Sequence, residues 1–215
     1  GGTSTQGGSR GNVISGKNLD GFLGIVRAVA EYCEIPGTSV FTTGRSNLTL
    51  PGYFRPNKNW DAVVVYDHRL IAALEFKSQV GSLGNNFNNR TEESIGSATD
   101  FWTAYREGAF AGHPRPFLGY LTVLEDCAGS TRPVRVSEPH FKVFPEFREA
   151  SYEDRYAQLC LRLVRERLYD SACLILADRN NAVKGHYREH GQEIGFKAFA
   201  SSLWAHIHAG IDSKG

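Results

Sequence analysis

Two acids and a lysine stand in the order Asp61, Glu75, Lys77, spaced as D-x(13)-E-x-K. Brought together in a poorly solvated place, the two carboxylates repel, and the conflict is relieved when one takes a proton or both share a cation. Hard oxygen donors with no His or Cys pair beside them suit Mg²⁺ better than zinc. A divalent ion held this way keeps positions open to water and to a phosphate oxygen, which is the equipment for phosphodiester hydrolysis. On this reading Asp61 and Glu75 hold Mg²⁺ together with the main-chain carbonyl of Phe76, whose side chain points to the opposite face of its strand. Lys77 then orients the attacking water, stabilises charge in the transition state, or aids deprotonation. The plainer alternative is that Asp61 and Glu75 are strand-end charges and Lys77 neutralises one of them. Spacing does not choose between the two, and the elements that carry the residues favour the first.

Those elements lie in WDAVVVYDHRLIAALEFKSQ, two largely apolar runs separated by the turn-like Asp67-His68-Arg69, which reads as a β-hairpin. Cross-strand partners in an antiparallel hairpin keep a constant sum of residue numbers. Pairing Tyr66 with Leu70 sets that sum at 136, which makes Asp61 the partner of Glu75. Opposed residues project from one face with Cβ atoms roughly 4.5–5.5 Å apart, and the period of two puts Lys77 beside Glu75. Val63, Val65, Ile71 and Ala73 on one face and Val64, Leu70, Ala72 and Leu74 on the other are all apolar, so both faces of these strands need a cover of helices.

The rest of the chain supplies them. Apolar residues at helical spacing predict a helix from Asn18 to Glu34, stopped by Pro36-Gly37. Residues 38–58 read as loop with one weak strand at Ser39-Val40-Phe41. A Gly/Asn-rich loop, SLGNNFNNR, then leads to a helix from Glu92 to Gly108 with Thr91 as its N-cap. Phe117–Leu124 predicts a strand, Tyr152–Leu168 a helix, Ala172–Ala177 a buried strand and Phe196–His206 a last helix. The fold class is α/β (α+β mixed), a central mixed β-sheet flanked by helices.

With 41% hydrophobic and 22% charged residues among 215, the chain can bury one sizeable core. We expect a flexible tail over residues 1–12, where Gly and Ser dominate, and a single domain over 13–215. The net charge of +1 neither demands nor forbids a nucleic-acid partner, so any phosphate-binding surface must be local. Cys33, Cys127, Cys160 and Cys173 lack paired metal-ligand spacing and read as reduced thiols. No apolar run is long enough to span a bilayer and no signal pattern opens the sequence, which points to a cytoplasmic protein with no membrane partner.

An enzyme that reads double-stranded DNA places hydrogen-bonding side chains in the major groove, where Asn suits adenine and Arg suits guanine. Asn86, Asn89 and Arg90, in the loop after the hairpin, are the candidates, although Asn and Gly there also suit left-handed turns and Arg90 can pair with Glu93. Gln79, on the face of Lys77, is a candidate for the DNA backbone or else a strand-end amide facing water. Basic residues in TGRSNLTLPGYFRPNKNW and DRNNAVKGHYREHGQ are further phosphate candidates or solvated surface.

The stretch from about residue 52 to 112, through EFKSQ, NNFNNRTEE and ATDFWTAYREG, resembles the core of the XhoI-type restriction endonucleases, a PD-(D/E)xK family. The resemblance implies a restriction-endonuclease-like core and a cytoplasmic type II enzyme. Such an enzyme would act as a homodimer on the palindrome CTCGAG and cut both strands with Mg²⁺ to leave 5′-phosphate and 3′-hydroxyl ends. Asp61, Glu75 and Lys77 match the motif, whereas Trp60 stands where its leading proline would be. A repair or junction-resolving nuclease would use the same three residues. A non-catalytic DNA-binding module of this fold commonly loses the lysine or one acid, and here all three are retained.

Overall fold

A computed structural model describes residues 21–178 and 186–212 of the chain. The tail expected over residues 1–12 and the expected start of the first helix at Asn18 lie outside the described residues. Residues 21–32 form helix α1, with Leu23, Val26 and Ala30 buried at helical spacing. Glu34, in the left-handed conformation (φ 60°), ends it.

The weak strand anticipated near Val40 is β1 (Val40–Phe41). The stretch beyond it, expected to be loop, instead contains a small hairpin of β2 (Thr49–Pro51) and β3 (Asn57–Asn59). Both strands are short and mostly polar, so no alternating apolar pattern marks them in the sequence.

The central hairpin is β4 (Ala62–Tyr66) and β5 (Arg69–Gln79). Its turn is two residues rather than three. Asp67 and His68 both have positive φ (51° and 60°), the conformation of a type I′ turn, whose twist matches that of paired strands. Tyr66 therefore faces Arg69 and not Leu70. A bulge between Val64 and Val65 then takes the register back by one, so Val64 faces Ala72 and Ala62 faces Leu74, as the anticipated sum requires. The ladder ends there: the Asp61 N–H goes to the Leu74 carbonyl at 3.0 Å, so Asp61 does not take the anticipated place as the strand partner of Glu75.

Helix α2 (Leu83–Arg106) starts well before the expected Glu92. Asn85 to Arg90 are helical and not loop, and Thr91 is no cap, since its hydroxyl donates back to the Phe87 carbonyl at 3.0 Å. Phe87 explains the early start. Its ring lies edge-on to Tyr156 (centroids 5.2 Å apart), and this burial overrides the weak helix propensity of Asn and Gly. Gly84 permits the close approach, because a Cβ there would lie 2.8 Å from the Tyr152 hydroxyl oxygen.

The chain continues as β6 (Phe117–Glu125), a single turn α3 (Ala128–Thr131), α4 (Tyr152–Arg165), β7 (Ser171–Ala177), β8 (Arg188–Glu189) and α5 (Phe196–Asp212). A capping box opens α4. The Asp154 N–H donates to Ser151 Oγ (3.1 Å) and the Ser151 N–H to Asp154 Oδ2 (2.9 Å), a pair of bonds worth about 1 kcal/mol. Two bonds tie α2 to the loop between α4 and β7: Trp102 Nε1–H to the Leu168 carbonyl (2.8 Å) and Tyr169 O–H to the Ser94 carbonyl (3.1 Å).

The strands assemble in the order β1-β4-β5-β6-β7-β8. Strands β5, β6 and β7 are parallel, whereas β1, β4 and β8 pair antiparallel with their neighbours, giving the mixed sheet anticipated. Helices α1 and α5 cover one face, packing on Leu74, Phe76 and Leu121. Helices α2 and α4 cover the other, packing on Val63, Ala73 and Tyr120. Among the described residues, no helix is long and apolar enough to cross a membrane.

Candidate active site

Alternation along β5 sends Leu74 and Phe76 to the α1/α5 face and Ala73, Glu75, Lys77 and Gln79 to the α2/α4 face. The site forms where β4 runs out. Half-buried Asp61 immediately precedes β4, and its Oδ2 accepts the Phe76 N–H at 2.7 Å. The Leu74 carbonyl faces the β4 edge, and so does the Phe76 main chain two residues on, now past the last β4 partner. A carboxylate and a strand-free main-chain carbonyl therefore share this edge with Glu75.

Glu75 is only 3% exposed, and each of its oxygens carries an ammonium. Lys77 Nζ pairs with Oε1, and Lys58 Nζ, reaching over from β3, lies 2.6 Å from Oε2. Burial raises the Asp61 pKa above the ordinary aspartate value, and the Glu75 charge raises it further. The Phe76 N–H and the two lysines pull in the other direction without cancelling the effect. The two carboxylates are thus balanced by two ammonium groups in a place where water is scarce. Two carboxylates and a main-chain carbonyl are hard donors, few enough to leave coordination positions for water and phosphate, which fits Mg²⁺. No group of three or more His, Cys, Asp or Glu among the described residues offers a softer or fully protein-made cage.

The site opens into a cleft of about 720 Å³ between β5, α2 and the β2–β3 hairpin. Lys58, Glu75 and Lys77 line it together with Arg55, Arg90 and Glu93. Of the residues proposed from sequence to meet DNA, Arg90 reaches the cleft, paired with Glu93 at 2.5 Å. Asn86 is half-buried and Asn89 exposed on the first turns of α2, outside the cleft lining. Gln79 lies on the Lys77 face but is 2% exposed. Its Nε2 donates to the Gly81 carbonyl at 2.5 Å, so it faces neither water nor the cleft. Arg188, in the second basic stretch, is held by Glu153 (2.6 and 2.9 Å) and Asp126 (3.1 and 3.2 Å).

Asp100 escaped the sequence reading, and so did the contact of Lys58 with Glu75. Lys58 was visible only as one cation in a basic stretch. Asp100, 4% exposed on α2, fastens the tip of the β2–β3 hairpin. Its Oδ1 accepts the N–H groups of Tyr53 and Phe54 at 2.8 Å each, and its Oδ2 the Arg55 guanidinium at 2.7 Å. Burial alone would raise the Asp100 pKa, but these donors outweigh it and hold the carboxyl below the ordinary value. Gly52 is required beside it, since a Cβ there would sit 2.6 Å from Asp100 Oδ2. The clamp presents exposed Tyr53 and Phe54 at the cleft rim, their rings edge-on with centroids 5.0 Å apart.

A family model described as restriction endonuclease XhoI matches residues 1–189. The chain is 47% identical over 206 residues to the type II restriction enzyme BstVI of Geobacillus stearothermophilus, covering 93% of this chain and 91% of the relative. It is 51% identical over 161 residues to the type II restriction enzyme XhoI of Xanthomonas vasicola (74% and 65%). To the type II restriction enzyme AbrI of Azospirillum brasilense it is 54% identical over 127 residues (59% and 57%). No solved structure matches the chain.

Proposed function

Because the chain belongs to the XhoI restriction endonuclease family, we propose that it is a Mg²⁺-dependent type II enzyme that cuts double-stranded DNA at CTCGAG as a homodimer, leaving 5′-phosphate and 3′-hydroxyl ends. The observation that carries this reading is the meeting of Asp61, Glu75 and the Phe76 main chain with Lys77 at the end of β4. Asp61, Glu75 and the Phe76 carbonyl are the groups that would hold the cation. When bound, it supplies Lewis-acid neutralisation of charge at the phosphoryl group.

The protein's own groups do the rest. Lys77, tethered to Glu75, holds a positive charge beside the reacting phosphate, where it orients water and offsets the charge that develops during in-line attack. Its place on a central strand fixes that charge without reorganisation. Asn86, Asn89 and Arg90 lie on consecutive turns of α2, a rigid platform for groove contacts, and Arg90 exchanges Glu93 for DNA. Gln79 supports the strand end from beneath.

The reading is tested with plasmid carrying one CTCGAG sequence, incubated with Mg²⁺, with excess EDTA, and with a Lys77→Ala variant. Linearisation at that sequence that requires Mg²⁺ and is lost in the variant is the expected result. Cutting elsewhere would keep the nuclease and discard the specificity. Tight DNA binding without cutting would overturn the catalytic role.

A further inference from the structure

We infer that Lys58 is a second active-site lysine, which holds the metal-binding oxygen of Glu75 until a divalent cation arrives and then transfers its charge to the phosphate of bound DNA, coupling metal binding to DNA binding. The inference rests on the reading of Asp61 and Glu75 as metal ligands. Lys77 already pairs with Glu75 through Oε1, and Lys58, 2.6 Å from Oε2, occupies the oxygen that a cation would otherwise take. It arrives, moreover, from a separate element. Strand β3 carries Lys58 opposite Leu50, and only 12% of the lysine side chain is exposed.

Two contacts keep the ammonium in the cleft whether or not Glu75 is available. Nζ lies 4.5 Å from the centre of the Trp60 ring and 3.3 Å from the Asn59 carbonyl. Trp60 itself is anchored, buried and edge-on to Phe101 at 5.3 Å. A lysine displaced from Glu75 therefore stays in the cleft, within a short swing of any phosphate bound there.

The charges give the coupling its sign. Asp61 and Glu75 are balanced by Lys58 and Lys77, so a divalent cation entering alone leaves two uncompensated positive charges. It must also displace Lys58 from Oε2. A phosphodiester anion beside the cation takes up the displaced ammonium and removes part of that excess. Metal without DNA is thus disfavoured, and metal with DNA is favoured, by the same side chain.

The test compares the wild-type chain with Lys58→Met, Lys58→Gln and Glu75→Gln. Calorimetric titration with Mn²⁺ reads metal affinity in the absence of DNA, and anisotropy of a labelled CTCGAG duplex in Ca²⁺ or EDTA reads DNA affinity. Removing one competing positive charge is expected to tighten Mn²⁺ binding about tenfold in both neutral Lys58 variants. The same variants should lose about tenfold in the Ca²⁺-dependent gain in DNA affinity and about a hundredfold in single-turnover cleavage. A structural lysine would not tighten Mn²⁺ binding, so unchanged or weaker binding in folded Lys58→Met and Lys58→Gln overturns this inference alone, provided Glu75→Gln still abolishes binding. Wild-type Mn²⁺ binding no stronger than that of Glu75→Gln would overturn the metal-ligand reading and this inference with it. The gain-of-affinity readout does not depend on CTCGAG being the true target.

Discussion

The two faces of β5 are made from alternate residues of one strand and are built to different ends. On the α1/α5 side, Ala72, Leu74 and Phe76 continue an apolar run that closes against Val26, Phe199 and Leu203. On the α2/α4 side the run stops at Ala73 and gives way to Glu75, Lys77 and Gln79. Their parallel neighbours on β6 include Tyr120 opposite Glu75 and Thr122 opposite Lys77. The Tyr120 hydroxyl, the Thr122 hydroxyl and Gln79 Oε1 are buried without a hydrogen-bond partner among the described residues. Each such group costs about 1–3 kcal/mol. One face supplies cohesion, and the other gives part of it up to hold charges where water is scarce.

Substitutions can break this contrast or sharpen it. The largest effect is expected from Asp61→Asn, which should lower the cleavage rate by about a thousandfold or more. Its thermal midpoint at neutral pH should hold or rise. The Asp61 pKa is raised in the folded state, so the charged form opposes folding as pH climbs through that value, and Asn removes the opposition. Cleavage assays beside calorimetry would show whether activity and stability separate in this way. Leu74→Ala, the adjacent residue on the other face, should do the reverse. It should lose about 2–5 kcal/mol in denaturant unfolding, while the rate per folded molecule survives.

Asp100→Asn should cost about 1–3 kcal/mol and speed amide exchange at Tyr53 and Phe54, whose N–H groups would lose a charged acceptor. Its wild-type counterpart carries a pH signature. Because the folded-state pKa is depressed, the contribution is full above the unfolded value near 4 and disappears as pH falls through the folded value. Protection of those two amides, corrected for the intrinsic pH dependence of exchange, should therefore fall on acidification in wild type and hold steady in the variant. Tyr120→Phe should have the smallest effect, a gain of about 1 kcal/mol, since it removes a buried hydroxyl that bonds to nothing described. A large loss there would mean the hydroxyl does have a partner and the two faces differ less than their side chains suggest.

The central pair of acids was legible because both lie in one local hairpin, and alternation with apolar runs sets which residues share a face. The register that brings them near each other was not, and it does not make Asp61 the strand partner of Glu75: the ladder ends at Ala62 facing Leu74, whose carbonyl takes the Asp61 N–H. The type I′ turn moved the register by one and the bulge at Val64/Val65 moved it back, and neither shift leaves a mark in composition. The start of α2 was misplaced because Asn85, Asn86, Asn88 and Asn89 resemble a loop when considered singly. Their helix depends on Phe87 meeting Tyr156, a contact between distant segments. Lys58 and Asp100 were hidden for the same reason. Each matters through a partner on another element, and the β2–β3 hairpin that connects them is too short and too polar to announce itself. Of the DNA candidates, Arg90 is brought to the cleft, whereas Gln79 is turned inward.

The hairpin's two-residue turn also bears on the order in which the molecule assembles. Lys58, Asp61, Glu75 and Lys77 all lie in one short stretch closed by Asp67-His68, so the entropy lost in bringing them together is small. Such hairpins zip up in roughly 1–10 μs. Pairing of β5 with β6 and of β6 with β7 must wait for α2 and α4 to cross over, and non-local parallel pairing is slow. The nascent chain is therefore expected to gather Asp61, Glu75 and Lys77 before it has walls around them, whereas Lys58 joins once α2 fastens the β2–β3 hairpin. Closure of the cleft by α2 is a late event on the folding route.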